Sequence, residues 1–278
     1  MTEPSHSALP SANVFRIASC INQVDYEIRV QLPDGYLETG TRDYPVIYLL
    51  DACWHFPLRD NDDFIVVGVG YADTGTAPAD IDPARLRDLL PYALTDRDFK
   101  ALPQLRAFAD DARLGQARAF QAVLQQEVKP LVDRRWRTSG RDILFGHSLA
   151  GLFAAWVMVH MPESYRAYVI LSPATLYGNY SILSDMHPET GTCFYMAVGE
   201  RESAEMPGID LVGDTLELHA RITDTLARRR IDYSTTLDII EKAGHISMVP
   251  HATGKALAFL LGIPGLLDGP RDPDPSRQ

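Results

Sequence analysis

The sequence predicts an α/β protein: a mostly parallel central sheet, an antiparallel N-terminal hairpin, and helices on both faces. Three observations predict it. Short, nearly continuous apolar runs recur at 45–50 (PVIYLL), 64–69 (FIVVGV), 141–146 (RDILFG), 167–172 (AYVILS) and 193–198 (CFYMAV). Such runs suit strands covered on both faces, as in parallel sheets. Stretches with helical spacing alternate with the later runs. The chain has 278 residues, 46% hydrophobic and 23% charged, an ordinary globular composition with enough length to bury a large core.

Residues 1–12 are polar and read as a frayed tail. At 23–32, Tyr26, Ile28, Val30 and Leu32 alternate with Glu27, Arg29 and Gln31, the period of a half-solvated strand; with 13–20 it forms the hairpin. The apolar runs at 45–50 and 64–69 follow as strands. Residues 72–115, with their prolines and many charges, fit the pattern least and read as an excursion over the sheet edge, on the active-site side. At 116–131 a helix carries Phe120, Val123, Leu124, Val128 and Leu131 on one stripe. After the strand at 141–146, residues 148–161 are apolar nearly all round, as a helix buried against a sheet is. Strands at 167–172 and 193–198 are followed by a helix at 213–229 that places Leu218, Ile222 and Leu226 at four-residue spacing. An alternating strand at 232–239 and a helix at 248–262 close the pattern. Residues 264–278, with four prolines and many charges, read as a disordered tail. One domain is therefore expected over 13–263.

The net charge of −11 argues against nucleic-acid and anionic-membrane partners, which need a positive face. Cys20, Cys53 and Cys193 are too few and too scattered for a disulfide framework or a zinc site. The N-terminus lacks a basic region followed by an apolar run, and no apolar stretch is long enough to span a bilayer. A cytoplasmic location is expected, with no cofactor and no metal.

The chemistry centres on Gly146-His147-Ser148-Leu149-Ala150-Gly151. A strand ends at Phe145 and a helix begins near Ser148. A sharp strand-to-helix turn presents a serine in a strained conformation, so small residues must flank it. A serine capping an ordinary strand-to-helix turn is the plain alternative. An attacking serine needs a base, usually histidine. Five of eight histidines follow Ser148. His245 lies directly after the strand at 232–239 and before the last helix, where the order serine, acid, histidine puts the base. His160 and His219 fall in helices, His187 precedes a strand, and His251 falls in the last helix. The acid is expected after the strand at 193–198, where Glu200, Glu202, Glu205 and Asp210 crowd together. One of these orients the imidazole. The oxyanion needs two backbone N–H groups: Leu149, after the nucleophile, and Cys53, in the loop after the strand at 45–50. Trp54, His55, Phe56, Tyr71, Tyr177 and Met206 lie on loops at the same strand ends and are the candidate substrate pocket. His147 is expected to brace the turn, and Asp88 to anchor its own segment through an ion pair.

Together these residues resemble the esterase family of α/β hydrolases that includes siderophore esterases, S-formylglutathione hydrolases, feruloyl esterases and mycolyltransferases. The resemblance covers most of 20–262. It is carried by Tyr44-Pro45-Val46-Ile47-Tyr48-Leu49-Leu50-Asp51, by Arg85-Leu86-Arg87-Asp88-Leu89-Leu90-Pro91, by the serine turn, by Leu171-Ser172-Pro173 and by Gly244-His245. It is nearest to the cytoplasmic siderophore-esterase branch. The resemblance implies the α/β-hydrolase fold, and an acid at the fourth position of a G-x-x-[DE] turn, which favours Glu202 over Glu200. The chain departs from the family pattern where Ala52 and Ala150 replace glycines, each adding a methyl beside the oxyanion region. The aromatic expected after Ser172-Pro173 is displaced to Leu176-Tyr177.

The expected activity is cleavage of a small-molecule carboxylic ester through an acyl-enzyme on Ser148. An acyltransferase using the same triad and a binding protein that has lost catalysis are the alternatives. The acidic charge disfavours a highly anionic substrate. Oligomeric state is left open.

Overall fold

The computed structural model describes residues 13–38, 40–58, 61–72, 83–108, 111, 113–183, 192–205 and 209–267. Eight strands form one sheet: β1 (Asn13–Ala18), β2 (Asp25–Gln31), β3 (Tyr44–Leu50), β4 (Ile65–Tyr71), β5 (Thr138–His147), β6 (Ala167–Leu171), β7 (Thr192–Gly199) and β8 (Tyr233–Ile240). Their order is β1-β2-β4-β3-β5-β6-β7-β8. The β1/β2 and β2/β4 pairs are antiparallel and the rest parallel, the expected arrangement. The helices are α1 (Ala52–His55), α2 (Pro83–Leu89), α3 (Asp96–Ala101), α4 (Ala117–Val123), α5 (Lys129–Arg135), α6 (Leu149–His160), α7 (Leu211–Arg229) and α8 (Val249–Leu261).

Every residue of β3, β6 and β7 is buried, because each strand serves two cores. Tyr48 and Leu144 face one core with α4, α6 and α7. Ile47, Leu49 and Phe145 face the other, with Ala252, Ala256 and Leu260 of α8. Successive strand side chains point to opposite faces, so apolar cover on both faces erases the alternation. On β2 the alternation survives: Tyr26, Ile28 and Val30 are buried, while Glu27, Arg29 and Gln31 are partly exposed. On the edge strand β8, Tyr233 and Ile239 are exposed and Ile240 is buried. The apolar set read from its sequence is therefore only partly covered.

Three further differences have local causes. A π-helical turn (Leu124–Val128) separates α4 from α5. Its extra residue per turn carries the buried stripe from Val128 to Val132 rather than to Leu131. The segment 83–108 holds α2, α3 and a 3₁₀ turn (Pro103–Phe108). Here Leu86, Leu89 and Leu105 are buried in the first core, and Thr95 caps α3 in a reciprocal box with Asp98. At the other end Leu266, placed in the tail by its sequence, is buried in the second core.

Phe153 lies fully buried on α6 between the rings of Phe120 and Trp156. Phe153→Ala is expected to lower the urea-derived unfolding free energy by about 3–5 kcal/mol. Leu37→Ala, at a position 86% exposed, is expected to change it by less than about 0.5 kcal/mol.

Candidate active site

The serine turn forms where β5 ends and α6 begins. Ser148 holds φ 59° and ψ −120°, a conformation side-chain-bearing residues rarely adopt and one worth about 1–3 kcal/mol of strain. The surroundings hold it there. Its N–H donates to the Leu171 carbonyl at 2.9 Å, and its own carbonyl accepts from Leu152 (3.0 Å) and Ala174 (3.1 Å). A Cβ on Gly146 would lie 2.1 Å from the Ala150 carbonyl oxygen, so the turn closes only with glycine there. The helix that follows is buried from Leu149 to Val159.

The carboxylate region after β7 resolves into four tasks. Glu202, fully buried, accepts from His245 Nδ1–H through Oε2 at 2.6 Å. Its Oε1 accepts from the Gly199 N–H at 2.6 Å and the Ser172 hydroxyl at 2.7 Å. Glu200 accepts the Lys242 N–H at 2.7 Å and Glu205 accepts the His245 N–H at 2.9 Å. Asp210 caps α7, taking the Gly213 N–H at 3.0 Å. Glu202 thus holds the imidazole, while Glu200 and Glu205 hold the backbone of its loop. With Nδ1 donating to a carboxylate, Nε2 is the nitrogen free to accept a proton.

His147 ties this loop to the serine turn. Its Nε2–H donates to the His245 carbonyl at 3.0 Å. Its ring lies 4.5 Å from that of His245 and 5.0 Å, edge to face, from that of His55. Burial, with the positive charge of neighbouring imidazoles, pushes the His147 imidazole well below its ordinary range. Burial likewise lowers His55.

The remaining predicted residues divide. Leu149 is the first residue of α6 and Cys53 the second of α1, and first-turn amides have no intrahelical acceptor. Burial and Asp51 push the Cys53 thiol up to about 11. Trp54, His55 and Phe56 are half-buried on this turn. The Ala52 methyl lies against β4: a Cβ on Gly68 would lie 2.8 Å from it. Tyr71 packs beside Tyr26 and donates to the Ala84 carbonyl at 3.3 Å. Tyr177 is buried in the first core. Met206 lies outside the described residues. Among the other histidines, His160 bonds the Ile182 carbonyl (2.7 Å), His219 bonds Thr235 Oγ1 (3.1 Å), and His251 is exposed. Asp88 accepts from Arg87 and from the Tyr26 hydroxyl.

Sequence reasoning assigns no site role to Ser172 or Ile246, and it names Glu205 only as one of four candidate acids, not as a holder of the loop backbone. Ser172, with φ 39°, directs its hydroxyl at Glu202; the Ser-Pro pair after β6 was the available signal. Ile246, 67% exposed, follows His245 in the chain and adds apolar surface to its loop, and nothing in its own sequence context marks it. Among the described residues no three His, Cys, Asp or Glu side chains are grouped to hold a metal ion. No described helix is long and apolar enough to cross a membrane.

Ser172→Ala removes one of three donors from a buried carboxylate and is expected to cost about 1–3 kcal/mol in urea unfolding. His147 generates a pH dependence. Below its ordinary value of 6.5 the unfolded chain binds a proton that the folded chain refuses. Stability is therefore full above that pH and is lost as pH falls toward the depressed folded value. Unfolding free energies measured between about pH 7 and 5 are expected to fall less steeply in His147→Gln than in the wild type.

Residues 19–181 match the family model described as "Putative esterase". The ferri-bacillibactin esterase of Bacillus subtilis is 27% identical over 272 residues, covering 91% of this chain and 90% of that protein. A siderophore enterobactin esterase of Emericella nidulans is 31% identical over 183 residues, 58% of this chain and 57% of that one. Among solved structures, the BES protein from Bacillus cereus superposes with a TM-score of 0.72 at 22% identity, covering 93% of this chain and 98% of that one. The fold is that of the α/β hydrolases, as its sequence predicts, and the match spans both β3 with the turn that follows it and the serine turn. The chain belongs to this esterase family and is a carboxylic ester hydrolase.

Proposed function

We propose that Ser148, His245 and Glu202 form a catalytic triad that cleaves its ester through an acyl-enzyme. The observation that carries this reading is the 2.6 Å bond between His245 Nδ1 and the buried Glu202 carboxylate, beside a serine in a strained turn. Ser148 Oγ attacks the ester carbonyl carbon while His245 Nε2 takes its proton. The Leu149 and Cys53 N–H groups bind the oxygen as it gains charge, and Glu202 stabilises the imidazolium. As the tetrahedral intermediate collapses, His245 returns the proton to the leaving alcohol, and the acyl group stays on Ser148. Water, deprotonated by the same imidazole, attacks the acyl carbon; the acyl–Oγ bond breaks, His245 gives the proton to Ser148 Oγ, and the acid leaves. The proposed substrates are siderophore-type esters. The names of the two curated relatives support this class, and Trp54, His55 and Ile246 offer apolar and aromatic surface for a sizeable substrate. We also place the protein in the cytoplasm, where its three free cysteines, Cys20 exposed among them, suit a reducing compartment.

Fluorophosphonate treatment followed by mass spectrometry is expected to give a single adduct on Ser148. Turnover of p-nitrophenyl acetate is expected to fall about 10⁴–10⁶-fold in Ser148→Ala and His245→Ala. An adduct elsewhere, or undiminished turnover in Ser148→Ala, overturns the triad. Incubation with bacillibactin, enterobactin and triacetylfusarinine C, iron-free and ferric, tests the substrate class by chromatography and mass spectrometry. Active enzyme that cleaves none of them removes that class and leaves the triad standing.

A further inference from the structure

We propose that Arg85 is a positioning residue for the oxyanion loop: α2 delivers its guanidinium to hold residues 51–54, and with them the Cys53 amide, in working geometry. The inference rests on the reading of Ser148 and Cys53 given above.

The loop cannot hold its own shape. It leaves β3 through Asp51, at φ 53° and ψ 45°, a left-handed conformation that aspartate tolerates better than most residues but that still costs it relative to glycine. The helix that follows has four residues, a single turn far below the length at which helices sustain themselves. The enforcement comes from outside the loop. Arg85 Nε lies 3.1 and 3.2 Å from the two Asp51 carboxylate oxygens, and Nη2 lies 2.8 Å from Oδ2. The Arg and Asp side chains are 4% and 2% exposed. The same guanidinium lies over the Trp54 ring, 4.6 Å from its centroid. One rigid planar group therefore grips the residue before the Cys53 turn and the residue after the Cys53 amide.

α2 is itself anchored for this task. The Tyr26 hydroxyl donates to Asp88 at 2.8 Å, Arg87 chelates the same carboxylate, and Tyr71 donates to the Ala84 carbonyl. β2 and β4 thus fix the helix that fixes the loop. A buried ion pair is a poor device for stability alone, because desolvation offsets most of its attraction. It is a good device for geometry, since the guanidinium fork accepts one orientation of a carboxylate and lysine cannot reproduce it. With its face on Trp54 and its edge on Asp51, Arg85 acts through the loop rather than on the substrate.

Arg85→Met, Arg85→Lys and the pair Asp51→Asn/Arg85→Met test this in the full chain. Competent sites are counted by fluorophosphonate titration, so turnover is expressed per reactive Ser148. In Arg85→Met, turnover of p-nitrophenyl acetate per site is expected to fall about ten- to hundredfold, with KM changed by less than about threefold. Affinity for phenylboronic acid, which forms a tetrahedral adduct on an activated serine, is expected to fall in parallel, and Arg85→Lys to be intermediate. The paired variant leaves no buried carboxylate unmatched, so it reports even if Arg85→Met does not fold, and it is expected to show the same loss. A merely structural role would lower the number of titrated sites and leave turnover per site intact. Turnover per site within about twofold of wild type in the folded paired variant overturns the proposal. Wild-type labelling at a residue other than Ser148 overturns the underlying reading instead.

Discussion

Glu202 carries a carboxylate to a place water does not reach, and three donors make that tolerable. They come from three places: the Gly199 N–H at the end of β7, the Ser172 hydroxyl at the end of β6, and Nδ1 of His245 beyond β8. One buried group therefore joins three neighbouring strand ends. Losing a donor would leave part of the charge unmatched. The two exposed carboxylates beside it, Glu200 and Glu205, add bonds to the loop backbone at Lys242 and His245, so the imidazole is constrained in both ring and main chain.

The sheet makes this convergence available. Parallel strands bring their C-terminal ends to one edge, and crossovers put helices on both faces. The two cores load that frame heavily enough to hold strained backbone along the edge, where Ser148, Ser172 and Asp51 all have positive φ. Each is fixed by a different means. Ser148 is held by backbone bonds to β6 and α6, Ser172 by the Ala197 carbonyl and Glu202, and Asp51 by Arg85.

The imidazole row His55, His147, His245 shows how burial shapes the electrostatics of the edge. Desolvation pushes His55 and His147 toward the neutral form, helped at both by nearby His245 and Arg85 and opposed at His55 by Asp51. They line the serine turn without placing a fixed positive charge against the His245 ring. His147 contributes a hydrogen bond to the loop backbone instead.

What the sequence by itself determined follows from local chemistry. Apolar runs of strand length with helical spacing between them specified the α/β architecture, because burial on both faces requires them. The glycine at 146 before Ser148 specified the turn, because only hydrogen fits against the Ala150 carbonyl. His245 stood out by its place after β8. Other features depend on contacts between distant segments. Four carboxylates within eleven residues look alike along the chain, and only folding buries Glu202 against Ser172, thirty residues away, while Glu200, Glu205 and Asp210 turn to backbone amides. The segment 83–108 carries too many prolines and charges to read as helical, and it becomes so because its few leucines meet α4 and α6. Asp51 and Arg85 lie in separate runs with nothing in either to link them. The sheet brings the end of β3 under α2, and there two charges that would be solvated in the unfolded chain meet each other out of water.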